Sequence, residues 1–373
     1  MPRFEKKPSA KCVRAVAIST GMCYNDLLKN DFAFGARQKR FRVSGRGGKD
    51  SRMTYTKIAF ITGPTAVGKT ALSLSLAEAF SGEIVSCDSM QLYRGMDIGT
   101  AKPTKEERAR VKHHMIDILD IHDPFSVVEY AESAEQCIRN IYAREHLPFF
   151  CGGTGLYIDA VVHSTQFGSM QNLPEYREEL KAFAAENGAE ALHRKLAAVD
   201  PESAEKIDYR NVKRVIRALE VYKSSGMPIS QWQKSSRLLP KKFDSLVLVL
   251  EYADREKLYE RINRRVDVMM EQGLLTEVQN LYEKGLFDTV TAGQAIGYKE
   301  FRPYFEGTAS LSDCVEALKT ASRRYAKRQM TWFRREPSAK HILVDGKSAD
   351  ELFCEVSGLC REFFKPELIW SAP

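Results

Sequence analysis

No apolar run in the 373 residues approaches the roughly 18 to 20 needed to cross a bilayer, which sets a membrane-spanning class aside. The eight cysteines, Cys12, Cys23, Cys87, Cys137, Cys151, Cys314, Cys354 and Cys360, form no C-x-x-C pair. That scatter argues against a structural zinc site or a disulfide framework and fits a reducing cytosol. Also missing are an N-K-x-D guanine-reading motif and an apolar strand closing on a Walker-B aspartate. The best late strand, Leu246 to Leu250, runs into Glu251 instead. An ordinary NTPase is therefore disfavoured. Charge of one sign is scarce over most of the chain. The net charge is +7, but 13 Lys plus Arg against four Asp plus Glu up to Arg52 leave that segment at +9 and the remainder at −2. Nucleic-acid contact by the body must then rest on local patches.

What is present, 43% hydrophobic and 28% charged residues, suffices for a substantial core and two or three domains. Residues 1–53 lack a sustained apolar period and read as a basic, disordered extension. Glu5, Asp26 and Asp31 sit badly in a mitochondrial transit peptide, and Met53 offers an alternative start. From Lys57 short apolar runs alternate with helical spacing. Ile58 to Ile61 reads as a strand, Leu72, Leu76 and Phe80 as a helix, Glu83 to Cys87 and Leu147 to Cys151 as further strands. This alternation predicts an α/β fold: a P-loop NTPase-like parallel sheet flanked by helices, with ligands at the carboxyl ends of the strands. The expected divisions are a first core part over 54–168, a helical insertion over 169–209, a second core part over 210–345 with a helical C-terminal portion, and a tail over 346–373. Asp200-Pro201 reads as an N-cap with proline at the first helical position.

Gly63-Pro64-Thr65-Ala66-Val67-Gly68-Lys69-Thr70 satisfies G-x-x-x-x-G-K followed by Ser or Thr, between a strand and a helix. Its backbone N–H groups and the helix N-terminus cradle a polyphosphate, Lys69 adds a point charge, and the Thr70 hydroxyl is placed to hold a magnesium ion. The motif names the ligand class, not the reaction; a small-molecule kinase and a non-catalytic RNA-binding nucleotide sensor stay open beside group transfer. Asp88 closes the second strand and should face the same crevice as a general base or a magnesium ligand, or else cap the next turn. The segment Asp88 to Pro103 is too long and too rich in glycine for a simple turn, which favours a functional loop. Thr154, within Gly152-Gly153-Thr154-Gly155, is placed to orient a phosphate or a substrate amine, or to cap a helix. Arg261 and Arg265 share a different face from the Leu258, Ile262, Val266 stripe, and by themselves read as a solvated face. Ser322 to Arg335 interleaves Arg323, Arg324, Lys327, Arg328, Arg334 and Arg335 with Tyr325, Trp332 and Phe333, a basic aromatic helix that suits RNA or an acidic protein, or else is half core and half solvent. His113 and His114, on opposite faces and with no third ligand, read as structural or RNA-facing and not as metal ligands.

Seven ordered blocks, GPTAVGKT, DSMQLYRGMDIGTAKP, HHMIDILD with PFSV, GGTGLYI, RALEVY, QAIGYKEF and RRYAKRQMTWFRRE, span roughly Thr54 to Val344. In these the chain resembles the tRNA dimethylallyltransferases, also called tRNA isopentenyltransferases. The resemblance implies transfer of the prenyl group of dimethylallyl diphosphate to the exocyclic amine of the adenosine 3′ of the anticodon, with diphosphate released. It implies Asp88 as base, Lys69, Arg265 and Thr154 at the diphosphate, Mg2+ as cofactor through Thr70, and residues 63–70 as the diphosphate cradle. It further implies tRNA contacts at Asp88, Ser89, Met90 and Gln91, at Lys213, Arg214, Val215, Ile216 and Arg217, at Gln294, Gly297, Tyr298 and Lys299, and at Lys327, Arg328, Gln329, Trp332 and Arg334. The helical insertion resembles the family's clamp on the anticodon stem. Two positions depart from the family pattern: Lys213 stands where Gln or Arg is usual, and Val67 where Ser or Gly is usual. The tail carries no zinc finger, so the expected protein is of bacterial type, cytoplasmic and monomeric, with tRNA and dimethylallyl diphosphate as partners and no membrane.

Overall fold

The structure, a computed structural model, describes residues 56–163, 173–238 and 240–368. The expected N-terminal extension and the first residues of the expected insertion lie outside them. The chain divides into two compact units.

The first unit holds the sheet. Strands β1 (Thr56–Thr62), β2 (Gly82–Ser86), β3 (His113–His114), β4 (Leu147–Gly152), β5 (Phe243–Glu251) and β6 (Ala339–Leu343) lie in the order β3-β2-β4-β1-β5-β6. The pairs β1 with β4, β2 with β4, β2 with β3 and β5 with β6 are parallel. In β1 the run Ile58 to Ile61 is wholly buried, as a strand covered on both faces must be. Helix α1 (Lys69–Ala79) covers the sheet with Leu72, Leu74, Leu76 and Ala77.

A strand in the expected second core part and a helix in the expected tail complete the sheet and its cover. β6 pairs Val247 with Ala339 through Glu251 with Leu343. Helix α2 (Ala349–Leu368) buries Val356, Cys360 and Phe364 in the same core cluster as α1. Residues 346–373 were read as a tail because this amphipathic period follows a strand masked by the exposed Lys340, His341 and Leu343; only Ile342 of that strand is buried. Cys87, Cys137, Cys151, Cys314 and Cys360 are free.

The second unit comprises residues 126–132 and 156–243. It is longer than the 169–209 read from composition. Leu180, Leu192 and Leu196 from that stretch share one cluster with Val215, Ile216, Ala218 and Leu219 from helix α3 (Val212–Ser225). A helix whose apolar face is completed by its neighbours cannot belong to a separate core. Glu220, fully buried here, accepts a hydrogen bond from Leu173 N–H at 3.0 Å and pairs with Arg177 and Arg217, both at 2.7 Å. Asp200 caps the helix Pro201–Lys206 as its sequence predicts, accepting from Ser203 N–H at 3.0 Å.

Candidate active site

The phosphate cradle forms where β1 meets α1. Gly63 has φ +139°, and an added Cβ there would stand 2.3 Å from the Leu250 carbonyl oxygen, so only glycine lets the loop pass β5. Gly68, at φ +97°, is the left-handed N-cap of α1. Val67, unusual for the family, turns its side chain into the main core and leaves the loop backbone in place. Lys69 Nζ donates to the Pro64 carbonyl at 2.7 Å.

The loop Asp88 to Pro103 is held by side chains from within the same unit. Glu277, on helix α4 (Leu274–Tyr282), accepts from the N–H groups of Asp97, Ile98 and Gly99 at 3.0, 2.8 and 3.0 Å and from the Tyr298 hydroxyl at 2.6 Å. An added Cβ on Gly99 would meet the Tyr298 ring at 2.6 Å, which explains the glycine. Lys102 is buried and bonds Asp97 Oδ1 at 2.6 Å and the Tyr93 carbonyl at 2.8 Å.

A single cavity of about 510 Å3 gathers the chemistry. Thr65, Lys69, Thr70, Asp88, Cys151, Arg261, Arg264, Arg265 and Tyr325 line it, with Glu107 and His113 farther along its wall. Burial lowers the pKa of Lys69 to about 8, with Arg265 pushing the same way and Asp88 opposing. Burial raises that of Asp88 above the ordinary carboxylate range, against the pull of the Met90 N–H and the Lys69 charge. Burial also lowers that of Arg265. Asp88 Oδ1 accepts from Met90 N–H at 2.9 Å. Thr154 Oγ1 accepts from Ser89 N–H at 3.0 Å and bonds the Tyr325 hydroxyl, whose own pKa burial drives well up. A carboxylate, a fixed hydroxyl and four cationic side chains therefore meet around one space that suits an anion carrying several charges.

Several residues proposed from the sequence are placed elsewhere. Val215 and Ile216 are core residues of the second unit and offer RNA no side chain; their helical face is the apolar one. Arg217 is engaged by Glu220, while Lys213 and Arg214 are exposed on the same unit. Tyr298 is fully buried under Glu277 and Gly99, and Gly297 is buried with φ +100°; Gln294 and Lys299 remain exposed. Gln91 accepts from Ser86 Oγ at 2.9 Å and turns its amide to the Thr100 and Ala101 carbonyls, so it braces the loop while still lining the cavity. Ser89 and Met90 are half-buried beside Asp88. On the long helix α5 (Leu311–Phe333), Lys327 and Arg328 are exposed, as is Arg334 at its end. Trp332 packs on Gly155, where a Cβ would stand 2.4 Å from the indole, and Gln329 is buried.

Arg264 and Tyr325 also line the cavity, and Arg261 lies there and not on a solvated face. Arg261 Nε donates to the Ala66 carbonyl at 3.1 Å, from helix α6 (Arg255–Glu271). The signal was present: Arg261, Arg264 and Arg265 fall at i, i+3 and i+4 on one helix face, a density of charge a merely solvated face does not require. His113 Nδ1 bonds the Val111 carbonyl and His114 Nε2 bonds Glu83.

The family model described as IPP transferase matches residues 91–336. A tRNA dimethylallyltransferase of Geobacillus kaustophilus is 52% identical over 307 residues, 82% of this chain and 95% of that protein. Among solved structures, the tRNA isopentenylpyrophosphate transferase of Bacillus halodurans is 42% identical with TM-score 0.63, covering 84% of this chain and 98% of its own. A eukaryotic dimethylallyltransferase, solved acting on tRNA, is 28% identical with TM-score 0.70, covering 85% of this chain and 80% of its own. A phosphate cradle and a strand-end carboxylate lining one cavity, in a chain half identical to enzymes of this kind over most of its length, place it in the IPP transferase family of tRNA dimethylallyltransferases.

Proposed function

We propose that the chain transfers the dimethylallyl group of dimethylallyl diphosphate to the exocyclic amine of the adenosine 3′ of the anticodon in tRNA. The observation that carries the reading is the one cavity that Lys69, Arg264, Arg265 and Asp88 line together. About 510 Å3 lies within the range of small-ligand sites, roughly 300 to 1,000 Å3.

Residues 63–70 receive the diphosphate. As the amine nitrogen attacks the allylic carbon, a C–N bond forms, the C–O bond breaks, and its electron pair leaves with the diphosphate. Lys69, Arg264 and Arg265 stabilise the charge gathering there, in a site already organised for it. An adenine amine is a weak nucleophile, and its proton must go to a base; Asp88, raised in pKa by burial, is the carboxylate in reach of the cradle. Thr154, oriented by Ser89 N–H and Tyr325, fixes the hydroxyl that holds amine or diphosphate. The Thr70 hydroxyl, a hard oxygen donor lining the cavity beside the cradle, fits Mg2+. When bound, that ion supplies charge neutralisation of the diphosphate.

The adenosine must leave its stack to enter the cavity, which calls for backbone grips. Lys327, Arg328 and Arg334 on the first unit, with Lys299 and Gln294, and Lys213 and Arg214 on the second, are exposed and suited to an anticodon stem-loop. No helix of the described residues is long and apolar enough to cross a membrane. We place the reaction in the cytoplasm, with the protein acting as a monomer. The test is to incubate the protein with an unmodified anticodon stem-loop, magnesium and labelled dimethylallyl diphosphate. Label in the RNA supports the reading, whereas phosphate transfer from ATP with no labelled RNA replaces it with a kinase.

A further inference from the structure

Gln329 lies on α5 directly after the exposed Lys327 and Arg328, yet it is only 6% exposed. Its Oε1 accepts from Thr65 N–H, inside the phosphate cradle, at 3.0 Å. Its Nε2 donates to the Gly153 carbonyl, beside Thr154, at 2.9 Å. The two partners, one donor and one acceptor, fix the orientation of the amide without ambiguity. The approach is possible because residue 153 is glycine; a Cβ there would stand 2.1 Å from Nε2.

The packing around it follows the same line. Ala326, one turn earlier on α5, is buried in a cluster with Ala66 of the cradle and with Leu258 and Ile262 of α6. Arg261 on α6 holds the Ala66 carbonyl at 3.1 Å. The cradle therefore rests on two helices, and one amide spans from it to the turn that carries Thr154. A glutamine facing solvent for RNA would show none of this. Among the amides and acids, glutamine alone offers a donor and an acceptor at this reach without a charge, next to a site that must receive an anion.

We propose that Gln329 is a positioning residue: it sets the cradle and the Thr154 turn relative to each other from the cationic helix, so that seating of α5 on RNA and order in the diphosphate site are coupled. This rests on the prenyl-transfer reading above. The coupling needs no moving part beyond the helix itself. Phosphates drawn to Lys327 and Arg328 bias the helix, and the amide of the next residue carries that bias to Thr65 and Gly153.

The experiment compares wild type with Gln329→Met, which keeps the length and removes both bonds, and Gln329→Glu, which keeps the acceptor for Thr65 and sets a carboxylate against the Gly153 carbonyl. Dimethylallyl diphosphate binding is measured with magnesium, alone and with saturating stem-loop; stem-loop binding and single-turnover transfer are measured alongside. Failure of the wild type to label RNA refutes the prenyl-transfer reading itself, whatever the variants do. With an active wild type, Gln329→Met should weaken prenyl diphosphate binding about tenfold, as two lost buried hydrogen bonds imply. Stem-loop affinity alone should stay within about twofold, since the exposed cations that supply it are untouched. The tightening of diphosphate binding by stem-loop should vanish in the variant. Gln329→Glu should weaken binding at least as much as Gln329→Met, since it adds a negative charge beside the anion site, and Gly153→Ala, which expels the amide from its seat, should copy Gln329→Met. Unchanged diphosphate binding in Gln329→Met, no coupling in wild type, or parallel loss of RNA and diphosphate binding with a collapsed unfolding midpoint in both Gln329→Met and Gly153→Ala each overturn the proposal.

Discussion

Replacing Asp88 by asparagine changes one oxygen for an amide and leaves the shape of the site alone. Met90 N–H still finds an oxygen acceptor at Oδ1, so the loop geometry that the 2.9 Å bond supports should persist. What is lost is a group that takes a proton. General bases contribute roughly 10²- to 10⁴-fold, so transfer should slow by about that factor, or about 3 to 5 kcal/mol in barrier. The sign of the second effect is more telling. Asp88 is the negative neighbour of Lys69 and Arg265. Removing its charge frees those cations for the diphosphate, so dimethylallyl diphosphate binding should hold or tighten while the chemical step fails. Single-turnover labelling of a stem-loop, with prenyl diphosphate binding measured on the same preparation, separates the two. A variant within threefold of the wild-type rate would show that the proton goes elsewhere. A variant that has lost diphosphate binding would show that Asp88 works by holding the cradle.

Three further expectations follow from charges already described. The kcat/KM profile for dimethylallyl diphosphate should rise through an acid limb above the usual carboxylate range, because Asp88 must lose its proton, and fall above pH about 8, because Lys69 must keep its own; Lys69→Arg should move the alkaline limb away, and a profile unchanged by it would remove Lys69 as the group responsible. Lys327→Gln with Arg328→Gln should lower the salt slope of stem-loop binding by about 1.4 if both meet single-stranded phosphates, and an unchanged slope would take that face off the RNA. Glu83 is buried beneath Arg144, His114 and His146; burial alone would raise its pKa, but the Arg144 and His114 hydrogen bonds bring it down to about 2. Its folded pKa lies below its unfolded value, so its stabilisation, about 3 kcal/mol, is complete above pH about 5 and is lost as pH falls toward 2; urea unfolding of wild type against Glu83→Gln should show the gap closing over that window.

The cradle, the first strands and Asp88 were legible because each is written in contiguous residues: an apolar run, a glycine loop and a helical period. The arginines were half legible. Spacing puts Arg261, Arg264 and Arg265 together, but nothing local says whether their face meets water or a diphosphate. Gln329 and Tyr298 sit within blocks, and Val215 and Ile216 beside one, for which the resemblance implies RNA contact, and a block does not reveal which of its side chains point inward. That depends on partners far away in sequence, such as Glu277 for Tyr298 and Gly153 for Gln329. The C-terminal strand and helix were missed for the same reason, since their apolar face has meaning only against α1 and β5.

The Asp88 to Pro103 loop owes its shape to Glu277, and the cradle owes part of its seat to Gln329. A chain emerging from the ribosome exposes the glycine cradle early, yet the groups that shape it arrive some 200 or more positions later. Until the carboxylate and the amide have been synthesised and docked, a truncated product holds the phosphate signature without a formed site. Premature termination before residue 277 removes both groups, and before residue 329 the amide, so such fragments should bind prenyl diphosphate more weakly than the full chain does.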